Sequence, residues 1–400
     1  MRILFLTDNF PPEYNAPATR TYEHCKEWVR LGATVTVITC APNFPKGQVF
    51  EGYRNRWKQA EIVDGIKVIR VWSYISPNAG TFKRTLDFLS FSFTSFIVGL
   101  RIKCDLIVAT SPQFFTTVSG CALGVFKRKK WVMEVRDIWP ESIKAVEAVR
   151  SNWIIAQLEK VELFLYRHAY KIIVVTDSFK INLLRRGVNP EKVFVIKNGV
   201  DTSIYKPQLK NPALVKKFAL EDKFIVGYVG THGLAHGLDF ILQSIGKLTD
   251  SSFHFLFIGD GAEKNNIVKL SYELKLKNIT FIDSVKKSEI QAYLSVLDVA
   301  LVPLRKSTTF ESVIPSKIFE SAALNIPILL GVNGETRTII EFYHAGLYFE
   351  PENESDFIEK LLLIRQKVKP TNTFKEGCQK MAEDFDRKNL AKKMLDVLSL

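Results

Sequence analysis

A chain of 400 residues with 46% hydrophobic and 24% charged residues has the make-up of an ordinary globular protein, long enough for two buried cores. Five scattered cysteines, an odd number with no Cys-x-x-Cys pair, argue against a disulfide framework or zinc site and for a reducing compartment. The net charge of +13 favours anionic partners, namely phosphates, acidic lipid or nucleic acid.

The opening run Met1–Asp8 is too short for a signal peptide and lacks a small-residue cleavage site. It reads as a first strand, Ile3–Thr7, of a chain that stays in the cytoplasm. Further strands are predicted over Thr34–Thr39, Ile66–Trp72, Leu106–Ala109, Trp131–Val135, Ile172–Val175 and Val193–Ile196. Helices are predicted over Arg20–Leu31, Lys83–Lys103, Ile154–Ala169 and Ser178–Arg186. The β-branched runs do not alternate with polar residues, which fits strands covered on both faces in a parallel, doubly wound sheet.

Basic residues are dense between positions 46 and 130, among them Lys83, Arg84, Arg101, Lys103 and the run Lys127-Arg128-Lys129-Lys130. Inside that field lies Phe88–Leu100, thirteen uncharged residues rich in Phe. Crossing a bilayer takes about 20 residues, so the segment is too short to span one. Apolar bulk between basic ends suits a helix lying in the interface of an anionic leaflet, with an ordinary core helix as the competing reading.

The pattern then restarts. Strands are predicted over Phe224–Val229, Phe253–Ile258, Ile279–Ile282, Val299–Val302, Ile326–Leu330 and Leu347–Phe349. Helices are predicted over Asp239–Lys247, Glu263–Leu276, Lys287–Leu297, Ser316–Leu324, Glu335–His344 and Ser355–Lys367. The domains expected are 1–200 and 201–380, with a tail helix over Met381–Leu400 packing back on the first domain. Two such domains would face each other across a cleft, with ligands at the carboxyl ends of both sheets.

The chemistry concentrates in the second half. Pro315-Ser316-Lys317-Ile318-Phe319-Glu320 reads as a loop and a helix start capped by Ser316. A lysine in a helix's first turn is disfavoured by the macrodipole unless an anion docks beside it, and Glu320, on the same face, can accept from hydroxyls. Together they describe a site for a sugar attached to a nucleotide diphosphate. The loop Gly230-Thr231-His232-Gly233-Leu234-Ala235-His236-Gly237 is glycine-rich between strand and helix, so its backbone N–H groups can approach a phosphate. Its spacing is not the Gly-x-Gly-x-x-Gly dinucleotide fingerprint, and there is no Walker loop. Gly259-Asp260-Gly261 and Val302-Pro303-Leu304-Arg305 end later strands, where a base or phosphate could rest. The six histidines show no metal-ligand spacing, and Asp384-Phe385-Asp386 falls on the surface of the expected tail helix.

These segments, with Phe10–Arg20, Cys40–Gly47, Gly52–Asn55, Arg136-Asp137-Ile138-Trp139-Pro140-Glu141-Ser142 and Asn198-Gly199-Val200-Asp201, resemble the family 4 retaining glycosyltransferases of the GT-B fold, and within them the WbuB-like transferases of O-antigen and capsule assembly. The resemblance spans nearly the whole chain. It implies a UDP-sugar held mainly by the second domain, an acceptor held mainly by the first, retention of anomeric configuration, and no obligatory metal or other cofactor. By position, Glu320 corresponds to the carboxylate that holds the ribose. Lys317 and Arg305 correspond to the charges facing the diphosphate. Asp137 corresponds to a polar residue facing the donor sugar, and the Asn15-Ala16 loop faces donor phosphates or acceptor. Two departures stand out. The family's second glutamate falls at Ser312, which leaves Glu311, one position earlier, as the candidate sugar-contacting carboxylate. The loop at Thr231–His236 also lacks the family's Arg and Lys, which places more of the phosphate charge on Lys317.

The expected activity is transfer of a sugar, an N-acetylated aminosugar, from a UDP donor to a polyprenyl-diphosphate-linked acceptor in surface polysaccharide synthesis. The enzyme would sit peripherally on the anionic inner face of the cytoplasmic membrane. The alternative is a nucleotide-sugar 2-epimerase on the same fold. A nucleic-acid binder is suggested by charge alone and has no supporting motif.

Overall fold

The computed structural model describes residues 1–76, 81–139, 152–286 and 289–400. Pro140-Glu141-Ser142 and the first two residues of the helix expected from Lys287 lie outside them. The chain forms two units, Met1–Asn198 with Arg387–Leu400, and Gly199–Asp386.

In the first unit, β1 (Arg2–Leu6), β2 (Thr34–Cys40), β3 (Lys58–Val63), β4 (Ile66–Val71), β5 (Leu106–Thr110), β6 (Lys130–Val135), β7 (Lys171–Val174) and β8 (Val193–Val195) form one sheet ordered β3-β4-β2-β1-β5-β6-β7-β8. All neighbours are parallel except β3 and β4. Side chains of β1 alternate between two apolar layers. Leu4 and Leu6 join Phe91 and Phe114 on one face, while Ile3 and Phe5 join Trp28 and Met394 on the other. Each such large side chain contributes about 1.5–3 kcal/mol when fully buried. The strand order reverses between β1 and β5, so the loops after these two strands flank the position where ligands of such sheets bind.

The sequence pattern does not reveal β3 or the helix Phe114–Lys127. The first is a polar edge strand that turns back through Asp64-Gly65, both at positive φ (47° and 78°), the conformation of a two-residue hairpin turn. The second carries Thr116-Thr117 and two glycines, residues of low helix propensity. Its glycines permit close packing: a Cβ at Gly120 would lie 2.4 Å from the Cβ of Ala109.

In the second unit, β9 (Phe224–Val229), β10 (Phe253–Ile258), β11 (Ile279–Ile282), β12 (Val299–Pro303), β13 (Ile328–Gly331) and β14 (Gly346–Tyr348) form a wholly parallel sheet ordered β11-β10-β9-β12-β13-β14. Here the order reverses between β9 and β12, which puts the glycine-rich loop after β9 beside Arg305 after β12.

The expected single tail helix is corrected. Helix Lys375–Asp384 ends in the second unit, and helix Arg387–Ser399 begins anew in the first. The break is held by Val200, whose N–H donates to the Phe385 carbonyl at 3.0 Å, and by Thr202, which donates to the buried Asp386 carboxylate. Asp386 is therefore an internal acceptor and not a surface residue. Helix Arg387–Ser399 packs against helix Ala16–Arg30, where Trp28 Nε1 donates to the Ala391 carbonyl at 2.8 Å.

Candidate functional site

At the carboxyl end of β9, the loop from Gly230 is stitched to the loops after β10 and β12. Gly230 N–H donates to the Ile258 carbonyl (2.9 Å), His232 N–H to Asp260 (2.9 Å), and Arg305 N–H to Ala235 (2.9 Å). Glycine is required at two of these points. A Cβ on Gly259, at φ 144°, would lie 1.9 Å from the Gly230 carbonyl oxygen. A Cβ on Gly230, at φ 145°, would lie 2.9 Å from Lys317 Nζ. The lysine amine is thus pressed against the loop backbone.

Lys317 Nζ is buried and has no hydrogen-bond partner. It rests 4.3 Å from the centroid of the Tyr228 ring. Burial lowers its pKa to about 8, against the opposing pull of Glu320. Lys317, Glu320 and Ser321 line one small cavity of about 20 Å³ together with apolar residues that include Val229, Leu294, Leu297 and Val302. A buried amine without a partner is rare in a folded core and marks a candidate site.

The other expected residues are placed as follows. Thr231 is exposed, and its carbonyl accepts from Tyr228 Oη at 2.5 Å. Asp260 is exposed, and its carboxylate accepts from the Gly261 N–H at 2.8 Å. Ser316 does not cap: it has helical backbone angles, and its side chain makes no capping hydrogen bond, because the helix Lys317–Ala323 follows a turn already wound in the helical sense. The Arg305 guanidinium is already neutralised, held by both oxygens of Asp239 (2.9 and 2.8 Å) and donating to the Leu234 carbonyl (2.8 Å). These bonds tie the loop after β12 to the β9 loop and to Asp239, whereas the Lys317 amine has no such partner. Glu311 lies in a 3₁₀ turn, accepts a long bond from Asn333 (3.4 Å), and lines a pocket of about 70 Å³ with Arg305, Asn333 and Tyr348.

In the first unit, Asn15 caps the helix that begins at Ala16, accepting from the Ala18 N–H at 2.8 Å. The Pro17 carbonyl accepts from Arg136 at 3.2 Å, which joins this loop to the segment carrying Asp137. Ser111 Oγ accepts from the backbone N–H groups of Arg136 (2.8 Å) and Asp137 (3.4 Å). The crowded setting of Asp137 raises its carboxyl, opposed by Arg136. Sequence reasoning did not find two further carboxyls here. Burial, then Asp87 and Glu13, push Asp8 up to about 8, and burial pushes Asp87 to about 6. Nor did it find Tyr228, whose place beneath Lys317 depends on the register of the β9 loop. Among the described residues, no group of three or more His, Cys, Asp or Glu side chains could hold a metal ion.

Known proteins agree with this architecture. The Glycosyltransferase Family 4 profile matches residues 17–204, and the Glycosyl transferases group 1 profile matches residues 211–381. WcaI of Escherichia coli K12, assigned as a colanic acid biosynthesis glycosyl transferase, is 25% identical over 80% of each chain. The O-antigen biosynthesis glycosyltransferase WclY of Escherichia coli is 29% identical over 43% of this chain and 46% of its own. Among solved structures, sucrose-phosphate synthase from Thermosynechococcus elongatus superposes with a TM-score of 0.76 at 16% identity, covering 99% of this chain and 98% of its own. Anabaena HepE in complex with UDP-glucose superposes with a TM-score of 0.73 at 16% identity, covering 100% and 99%. The chain belongs to the family 4 glycosyltransferases and has their two-domain GT-B fold.

Proposed function

We propose that this glycosyltransferase transfers a sugar, an N-acetylated aminosugar, from a UDP donor to a polyprenyl-diphosphate-linked acceptor, with retained anomeric configuration, in the assembly of a bacterial surface polysaccharide. The observation that carries the donor half is the buried, partnerless amine of Lys317 against the Gly230 backbone. A diphosphate there would gain a charge-assisted hydrogen bond, and the same amine would stabilise the negative charge that grows on the departing UDP. Glu320, beside it, suits the ribose hydroxyls. The UDP and UDP-glucose complexes of HepE support a nucleotide-sugar donor. The names of WcaI and WclY, and of WaaG, a lipopolysaccharide biosynthesis glycosyltransferase, support a polysaccharide role.

The acceptor half rests on the first unit. No helix of the described residues is long and apolar enough to cross a membrane. Helix Thr81–Leu100 nevertheless exposes Leu86, Leu89 and Phe93, the last 61% accessible, with Lys83 and Arg84 at its start. Helix Phe114–Lys127 exposes Val125 and Phe126 just before the run of four basic residues at 127–130, and Phe126 meets Phe96 edge-on at 5.3 Å. Aromatic bulk framed by cations fits the interface of an anionic leaflet, where a polyprenyl-linked acceptor resides. The test is a panel of UDP-sugars offered with polyprenyl-diphosphate-GlcNAc in vesicles, read by mass spectrometry, with the new linkage's anomeric configuration read by NMR. Extension of the lipid by one N-acetylhexosamine supports the reading. Turnover of UDP-GlcNAc without any lipid would replace it with an epimerase.

A further inference from the structure

Besides Lys317, the β9 loop holds two imidazoles that the reading above leaves without a task. Both ring nitrogens of His232, and Nδ1 of His236, are buried without a hydrogen-bond partner. The two rings flank Tyr228, with centroids 5.7 and 5.8 Å from its own, and Lys317 Nζ sits over that same ring. The Tyr228 hydroxyl is committed to the Thr231 carbonyl. Three groups able to carry a proton therefore surround one aromatic ring, and Lys317 Nζ, both ring nitrogens of His232 and Nδ1 of His236 lie buried there without a hydrogen-bond partner. An orphaned buried polar atom costs about 1–3 kcal/mol, so several side by side point to a ligand that partners them together.

The charges around these rings decide which ligand fits. His236 faces Lys317 and His232, both of which oppose its protonation, while the Gly233 carbonyl nearby favours it. His232 faces Lys264 and Lys317, which oppose protonation, and Asp260, which favours it. Glu320 faces Lys317, and Arg305, which abuts Gly237, is neutralised by Asp239. Burial is the largest cause in both rings and, with these neighbours, holds each near about 4. At neutral pH the unfilled loop therefore presents neutral imidazoles. An anion with several acceptor oxygens would partner the orphaned nitrogens and, being negative, reverse the electrostatic penalty on their protonated forms.

We propose that His236, backed by His232, takes up a proton from solvent as a nucleoside diphosphate docks beside Lys317, so that the cradle gains charge only when filled. This rests on the donor reading above and extends it to residues where the family places a permanent Arg and Lys. Two consequences follow from the sign of the linkage. Because the complex holds more protons than the free protein, nucleotide binding strengthens as pH falls. Because the empty imidazoles return to neutrality, loss of their proton favours release of spent UDP.

The test uses the full chain with ¹³C-labelled histidine, and UDP as the probe. In the free protein, His232 and His236, like the deeply buried His24, are expected to stay neutral down to about pH 5, and His232→Gln and His236→Gln assign the two loop signals. Saturation with UDP is expected to move the His236 midpoint above about pH 6. The dissociation constant for UDP should then weaken about fivefold between about pH 6.5 and pH 8 in the native chain, and less than about twofold in His236→Gln. Imidazoles that stay neutral at about pH 5.5 in the saturated complex overturn the proposal while leaving the donor reading intact. Failure of the native chain to bind UDP overturns both.

Discussion

Arg20 in the first unit and Lys317 in the second both withdraw a cation from solvent, and their surroundings differ in kind. Arg20 donates to Glu134 (2.9 Å), to the carbonyls of Ile196 and Lys197 (2.9 Å each), and to Asn198 (3.2 Å). Burial pushes Glu134 upward, but Arg20 and Arg136 outweigh it and hold the carboxyl below its usual range. Lys317 has no such partner and is itself pushed toward neutrality. Two buried cations therefore do different work. The first, hydrogen-bonded on several sides, ties β6 to the end of the first unit; the second makes no hydrogen bond within the fold, which is why we propose it for the donor's diphosphate. A buried cation with its bonds made stabilises the fold, whereas one without them costs stability unless a ligand completes it.

The largest effect that could break this contrast is on stability. Arg20→Ala leaves Glu134 buried without its nearest cation and should cost about 3–5 kcal/mol of unfolding free energy, read by denaturant titration. A loss under about 1 kcal/mol would mean that the pair is not part of the frame. The matching change in the second unit should do the opposite. Lys317→Ala should lower turnover by about 10²–10³ while the unfolding midpoint stays level or rises, since it removes a charge-stabilising donor that makes no hydrogen bond in the folded chain. Loss of folding in place of turnover would merge the two classes.

A subtler difference lies in pH dependence. Burial lowers the Lys317 pKa in the folded chain to about 8, below the 10.5 ordinary for a lysine. Between those values the unfolded chain holds a proton that the native chain has released, so stability should rise with pH across that window, by about 1–3 kcal/mol. Lys317→Met should flatten the rise, and an identical slope in both proteins would show that the amine is solvated. The smallest effect concerns the exposed aromatic face. Phe93→Ser should weaken binding to vesicles of anionic phospholipid about fivefold to tenfold without altering UDP affinity. Unchanged vesicle binding would make that face ordinary surface.

Much of the frame could be read from the chain. The apolar runs of β1, β2, β9 and β10 announce buried parallel strands, and the restart at Phe224 separates two sheets. What escaped had local reasons. β3 is polar along one face, and its only strong signal was the Asp64-Gly65 turn. Helix Phe114–Lys127 is built from Thr, Val and Gly, whose individual preferences oppose a helix that packing nonetheless imposes. In the candidate site, the sequence singled out Lys317 because a cation at a helix start needs a reason, and the structure finds its amine buried without a partner. Arg305 was expected at a strand end as a second charge facing the diphosphate, and its bond to Asp239, 66 residues away in sequence, is one that no local pattern reveals. His232 and His236 were visible as residues, whereas their common neighbour Tyr228 appears only once the β9 loop folds back over its strand.

The most direct test of the central claim is a crystal structure of the chain with UDP bound. A diphosphate oxygen about 3 Å from Lys317 Nζ, with the Gly230 backbone alongside, is the predicted result. UDP seated elsewhere, with the Lys317 amine still facing only Tyr228, would contradict it.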